Sequence, residues 1–116
     1  MAFNGTEGTF ITISEGSTMT KDYRDSFLTN DRKRKAIFFG KEKLQAILNQ
    51  PECMGIRCYF GAVEVSEDGK KWQELSLVLV GADESENDQL AANNHVLNHG
   101  SPCPMQCDTN GSPLNS

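Results

Sequence analysis

The chain has 116 residues, a formal net charge of −5, and hydrophobic and charged fractions of 37% and 23%, values that fit one globular domain with a core and exclude a fibrous repeat or wholesale disorder. The acidic balance argues against binding along a phosphate backbone, which depends on Lys and Arg displacing condensed counterions, so nucleic acid is not an expected partner. The longest apolar run, Leu77-Val78-Leu79-Val80, is far shorter than the roughly 20 residues of a membrane-spanning helix, and no membrane partner is expected.

The start, Met1-Ala2-Phe3-Asn4-Gly5, has neither the basic nor the apolar region of a secretory leader, so a cytoplasmic location is the expectation. In that setting Cys53, Cys58, Cys103 and Cys107 are read as reduced thiols or metal ligands before they are read as a disulfide framework.

In chain order, Thr9 to Ile13 is β-branched and aromatic enough to predict a short strand. Met19, Tyr23 and Phe27 recur every four residues and predict a helix over 15–28, capped by Ser14 or Ser17, with those three side chains facing a core. Thr29-Asn30-Asp31 is a break, and the basic run Arg32-Lys33-Arg34-Lys35 is read as a solvated loop. Ala36 to Phe39 is extended. Leu44, Ile47 and Leu48 then mark a second helix over 41–50, stopped by Pro51.

Residues 54 to 81 predict an antiparallel β-hairpin, with Asp68-Gly69 supplying the positive φ of the reversal. Its first strand alternates Ile56, Cys58 and Phe60, assigned to the core, with Arg57 and Tyr59 on the opposite face. The return strand carries Leu75, Leu77 and Leu79 on one face and Val78 and Val80 on the other, so both faces call for cover. Beyond Asp83 the composition turns polar, and a weak helix is expected over about 87–98.

The fold class this predicts is α+β: a small antiparallel sheet centred on the long hairpin, with two short helices on one face, and a core that also takes in Phe10, Ile13, Phe38, Leu44, Ile47 and Leu48. Residues 1–100 form the expected single domain, and 101–116 form a Pro/Cys/Asn/Ser-rich tail that either docks or stays free. The order of short motifs, Phe39-Gly40, Gly55-Ile56-Arg57, Tyr59-Phe60-Gly61, Leu77 to Asp83, Asn87-Asp88, Pro102-Cys103-Pro104 and Pro113-Leu114-Asn115, resembles that of a family of small uncharacterised bacterial proteins. The resemblance spans most of the chain, implies no established activity and transfers no catalytic residue.

Three groups of side chains invite a chemical reading. His95, His99, Cys103 and Cys107 are nitrogen and sulfur donors spaced four apart, the donor set zinc prefers. Gly100, Pro102 and Pro104 prevent one helix from aligning all four; exposed histidines with plain thiols, or a local Cys103–Cys107 disulfide, are the alternatives. Arg57 and Tyr59 are candidates for binding an anion or a partner's carboxylate, set against cross-strand pairing with Glu74 or Ser76. Cys58 with His95 or His99 is a conceivable nucleophile and base, but the strand phase places that thiol in the core, where thiols are inert.

Asp83, Ser85, Asn87 and Asp88 echo a calcium loop only faintly, because Asp88 and Asn94 stand where Gly and Glu are required, so a strand-end turn is the reading. No phosphate loop, nucleophile elbow or HExxH pattern occurs, and the balance leans away from an enzyme. The expectation is a non-enzymatic protein-interaction or assembly module that self-associates. The alternative is a small zinc-binding domain built on the C-terminal His/Cys cluster; outside that alternative no cofactor is assured.

Overall fold

The computed structural model describes residues 2–115. In chain order it contains α1 (Ile13–Phe27), β1 (Ala36–Phe38), α2 (Lys41–Leu48), β2 (Cys53–Glu67), β3 (Lys70–Asp83), β4 (Val96–Leu97), β5 (Ser101–Cys103) and a closing 3-10 turn (Pro113–Asn115). The class is α+β, with two helices, antiparallel sheets and a long β2–β3 hairpin. One sheet pairs β1 with β5, Ala36 opposite Cys103. The other has the order β2-β3-β4, with Leu79 opposite Leu97 and Val80 opposite Val96.

The chain groups into two compact units. The first holds the residues up to Gly8, Phe39–Gly61 and Ser76–Gly100; the second holds Thr9–Phe38, Ala62–Leu75 and the chain from Ser101 onward. The hairpin turn, with Asp68 and Gly69 both at positive φ as the Asp-Gly pair predicted, belongs to the second unit.

In the first unit α2 forms where its apolar spacing predicted, and Ile47 is its buried residue at 1% exposure. Burying a side chain of this kind is worth about 1.5–3 kcal/mol. Leu79, Val80 and Ala82 of β3 are also buried, but so are Gln50, Ser76 and Gln89. A core so thin in hydrocarbon relies on satisfied polar groups, and every one has its partner. Gln50 Nε2 donates to Gln89 Oε1 (2.9 Å), Gln89 Nε2 to the Pro51 carbonyl (2.8 Å), and the His95 amide to Gln50 Oε1 (2.7 Å). Asn98 Nδ2 donates to Ser76 Oγ (2.7 Å).

In the second unit α1 starts earlier than its apolar spacing suggested. Thr12 is the N-cap, its hydroxyl accepting from the Glu15 amide while the Glu15 carboxylate accepts from the Thr12 amide. This reciprocal box satisfies two orphan N–H groups and turns Ile13 helical, which overrides the β-propensity of Thr9–Ile13; no strand forms there. The helix is tied to the 3-10 turn by Ser17 Oγ donating to the Pro113 carbonyl (3.1 Å) and Arg24 Nη1 donating to the Leu114 carbonyl (2.7 Å).

Several core assignments are corrected. No residue of α1 is buried: Met19 and Phe27 are 65% and 58% exposed, and Tyr23 stacks on Phe27 with ring centroids 5.3 Å apart. Phe10, Ile13, Phe38 and Leu48 are exposed as well. On β2, Phe60 is 84% exposed and Cys58 is exposed, so the face expected to be inside is open at the middle of the strand. The helix expected over 87–98 is absent. Gln89 is held instead to the Gly81 carbonyl (2.8 Å), Ala82 bridges Asp88, and β4 follows as a short strand. The segment's Asn, Asp and Ser residues favour such local turns over helix.

Candidate functional site

The most developed polar constellation lies in the first unit, around Asp88. β2 sends Arg57 and Tyr59 from one face, two residues apart, as strand alternation requires. Asp88 reaches them from the turn after β3, which closes through Asp83 N to the Asn87 carbonyl (2.9 Å) and Glu86 N to the Asp83 carbonyl (3.0 Å). Arg57 Nη1 donates to one oxygen of Asp88 and Tyr59 Oη donates to the other, so both carboxylate oxygens are occupied. Arg57 Nη2 donates to the Glu86 carbonyl (3.3 Å), and the guanidinium lies 5.3 Å from the centroid of Phe3. A strand thus grips a loop through one bifurcated acid.

Electrostatics follow this geometry. The Tyr59 hydroxyl above all, with Arg57 adding to it, holds the Asp88 carboxyl below the usual carboxylate range against the opposing effect of desolvation. The hydrogen bond to Asp88 pushes the Tyr59 phenol and the Arg57 guanidinium up. The signs are opposite in consequence. A lowered carboxyl contributes stability above its ordinary value and loses it as pH falls through the folded value. A raised phenol contributes below its ordinary value and loses it as pH rises through the folded one.

Beside Arg57 an open cleft of about 320 Å³ is lined by Phe3, Glu7, Met54, Ile56, Arg57 and Ala82. The Glu7 carboxylate accepts from the amides of Asn4 and Gly5, each at 3.0 Å, and the Asn4 amide above all holds it below its ordinary range. The cleft therefore offers one cation and one anion, each engaged by its own neighbourhood.

The sequence-based candidates are distributed as follows. Arg57 and Tyr59 come together, but through Asp88 and not through Glu74 or Ser76. His95 and His99 lie in the first unit, Cys103 and Cys107 in the second. Cys103 and Cys107 are joined as a disulfide, and in that state neither sulfur is a thiolate donor. Among the described residues no three His, Cys, Asp or Glu side chains are grouped so as to hold a metal ion. Cys58, assigned to the core, is exposed.

A second polar centre, in the second unit, went unread in the sequence. Glu74 is 4% exposed. Its carboxylate accepts from the amides of Lys33 (2.9 Å) and Arg34 (3.2 Å) and from Trp72 Nε1 (2.9 Å), while Lys33 Nζ lies 5.1 Å from the Trp72 ring. Desolvation opposes ionisation, yet these donors together outweigh it and hold the carboxyl low. The basic run is thus a cradle for a buried acid through its backbone, a role that charge counting along the chain does not reveal.

These features define a small α+β protein whose polar centres serve to fix loops. No protein-family model, no curated protein and no solved structure matches the chain. Motif order alone therefore carries nothing further into the functional reading.

Proposed function

We propose that this chain is a non-enzymatic interaction module that works by associating with a second copy of itself. The distribution of apolar side chains carries the reading. Among the described residues the buried hydrophobics are Ile47, Leu79, Val80, Ala82 and Cys103, whereas Phe10, Met19, Phe38, Phe60, Leu90 and Met105 are all more than half exposed. A solvent-facing Phe or Met forgoes about 1.5–3 kcal/mol that burial would return, so a second copy that covers even some of these side chains stabilises the association. The side chains best suited to chemistry, Arg57, Tyr59 and Asp88, are meanwhile spent on one another.

Sedimentation of the full chain over a dilution series through the micromolar range is the test. The expected result is a species heavier than the 12.8 kDa monomer that dissociates on dilution. A monomer at every concentration would contradict the proposal.

A further inference from the structure

The first-unit part of β2 lies at the free edge of its sheet, since the strand order is β2-β3-β4. In an antiparallel ladder alternate residues turn their N–H and C=O away from the neighbouring strand, so an edge strand presents a row of unpaired donors and acceptors. Natural edges are usually blunted by Lys, Pro or an inward-pointing charge. From Cys53 to Gly61 β2 has neither Lys nor Pro, and its one charge, Arg57, is turned to Asp88. At the middle of this edge Cys58, Tyr59 and Phe60 are exposed in succession, Phe60 at 84%, while the opposite face carries the Asp88 contact to Arg57 and Tyr59.

The sequence of that stretch is self-complementary. In Gly55-Ile56-Arg57-Cys58-Tyr59-Phe60-Gly61, a two-fold axis through Cys58, perpendicular to the sheet, sets Gly55 opposite the second copy's Gly61. It sets Ile56 opposite the second copy's Phe60 and Arg57 opposite its Tyr59. Apolar meets apolar, the glycines meet each other, and no like charges face. Such an isologous contact extends the sheet from three strands to six across the axis, pairing the edge amides and covering Phe60 in one step.

Resting on the self-association proposed above, we infer that residues 55–61 of β2 are the surface through which two copies join, antiparallel and centred on Cys58. Directly opposed residues in such a pair have Cα atoms about 4.5–5.5 Å apart, within the range that a disulfide spans. The two Cys58 thiols can therefore be joined by a mild two-electron oxidant such as diamide, which takes up both electrons and both protons.

The experiment combines that cross-link with sedimentation. Oxidised at micromolar concentration, the wild type and Cys53→Ser are expected to give a covalent dimer on a non-reducing gel, and Cys58→Ser none. Phe60→Lys, at an exposed position that leaves the monomer's melting unchanged, is expected to raise the dissociation constant about tenfold or more by placing a charge in the pairing edge. If the protein sediments as a dimer but Cys58 does not cross-link, or Phe60→Lys leaves the dissociation constant unchanged, the edge is the wrong surface and self-association stands through another. A monomer throughout overturns both.

Discussion

Gly81→Ala is expected to destabilise the protein by about 3–4 kcal/mol, the sum of an overpacking strain and of hydrogen bonds given up to relieve it. A Cβ built on Gly81 lies 2.5 Å from Gln89 Oε1, 2.9 Å from Gln50 Nε2 and 3.1 Å from Cys53 Sγ. The two amide groups it meets are hydrogen-bonded to each other, and each is also fixed at its far end, Gln89 to the Pro51 carbonyl and Gln50 by the His95 amide. Neither side chain can move aside without leaving a buried polar atom unpaired. Gly55, whose added Cβ meets nothing within 4 Å, is the contrast: Gly55→Ala is expected to leave monomer stability within about 0.5 kcal/mol. Denaturant melts of the two variants check the pair. Equal effects would mean that the glutamine network is not what demands glycine at 81.

Glu74→Ala is expected to cost about 2–4 kcal/mol, because it removes the one acceptor shared by the Lys33 and Arg34 amides and the Trp72 indole and leaves a cavity beneath them. The same site shapes the acid limb of stability. The folded carboxyl lies below its ordinary value of 4.5, so the folded state binds this proton less tightly than the unfolded chain. Its contribution is complete well above pH 4.5 and fades as pH falls through the lower folded value. Glu74→Gln, which keeps an acceptor oxygen but does not titrate, is expected to be less stable than wild type near neutrality and to lose less stability between neutral and acid pH. Thermal melting across that range reads both effects. An unchanged acid limb in Glu74→Gln would show that other carboxyls carry it.

Local patterns were legible in the sequence wherever one residue decides the matter. Asp68-Gly69 fixed the position of the hairpin turn, and Leu44, Ile47, Leu48 and Pro51 defined α2 almost to its ends. The start of α1 was also legible, in Thr12 and Glu15, but the β-branched run before Ile13 was the louder signal and pointed to a strand. Strand alternation correctly put Arg57 and Tyr59 on one side of β2 and Cys58 and Phe60 on the other. What it cannot supply is which side another element covers, and Phe60 proved exposed while Ser76 and Glu74 on the return strand proved buried.

Those two polar residues are tolerated inside because their partners arrive from distant points of the chain: Asn98 for Ser76, the Lys33 and Arg34 amides for Glu74. Asp88 joins Arg57 and Tyr59 in the same way, across about thirty residues of intervening chain. Periodicity reports on a segment and its own faces, whereas hydrogen bonds of this kind are made between segments. Glu74 and Ser76, polar residues alternating with leucines on the return strand, were the available hint that such partners existed.

Closure of the β2 edge by a second copy is tested most directly by amide hydrogen exchange measured across a dilution series. The amides of Gly55–Gly61 that β3 does not take are expected to exchange slowly at high protein concentration and quickly at low concentration, while those bonded to β3 stay protected throughout. Protection at the outward amides that is absent at every concentration, or present and independent of it, would contradict the account.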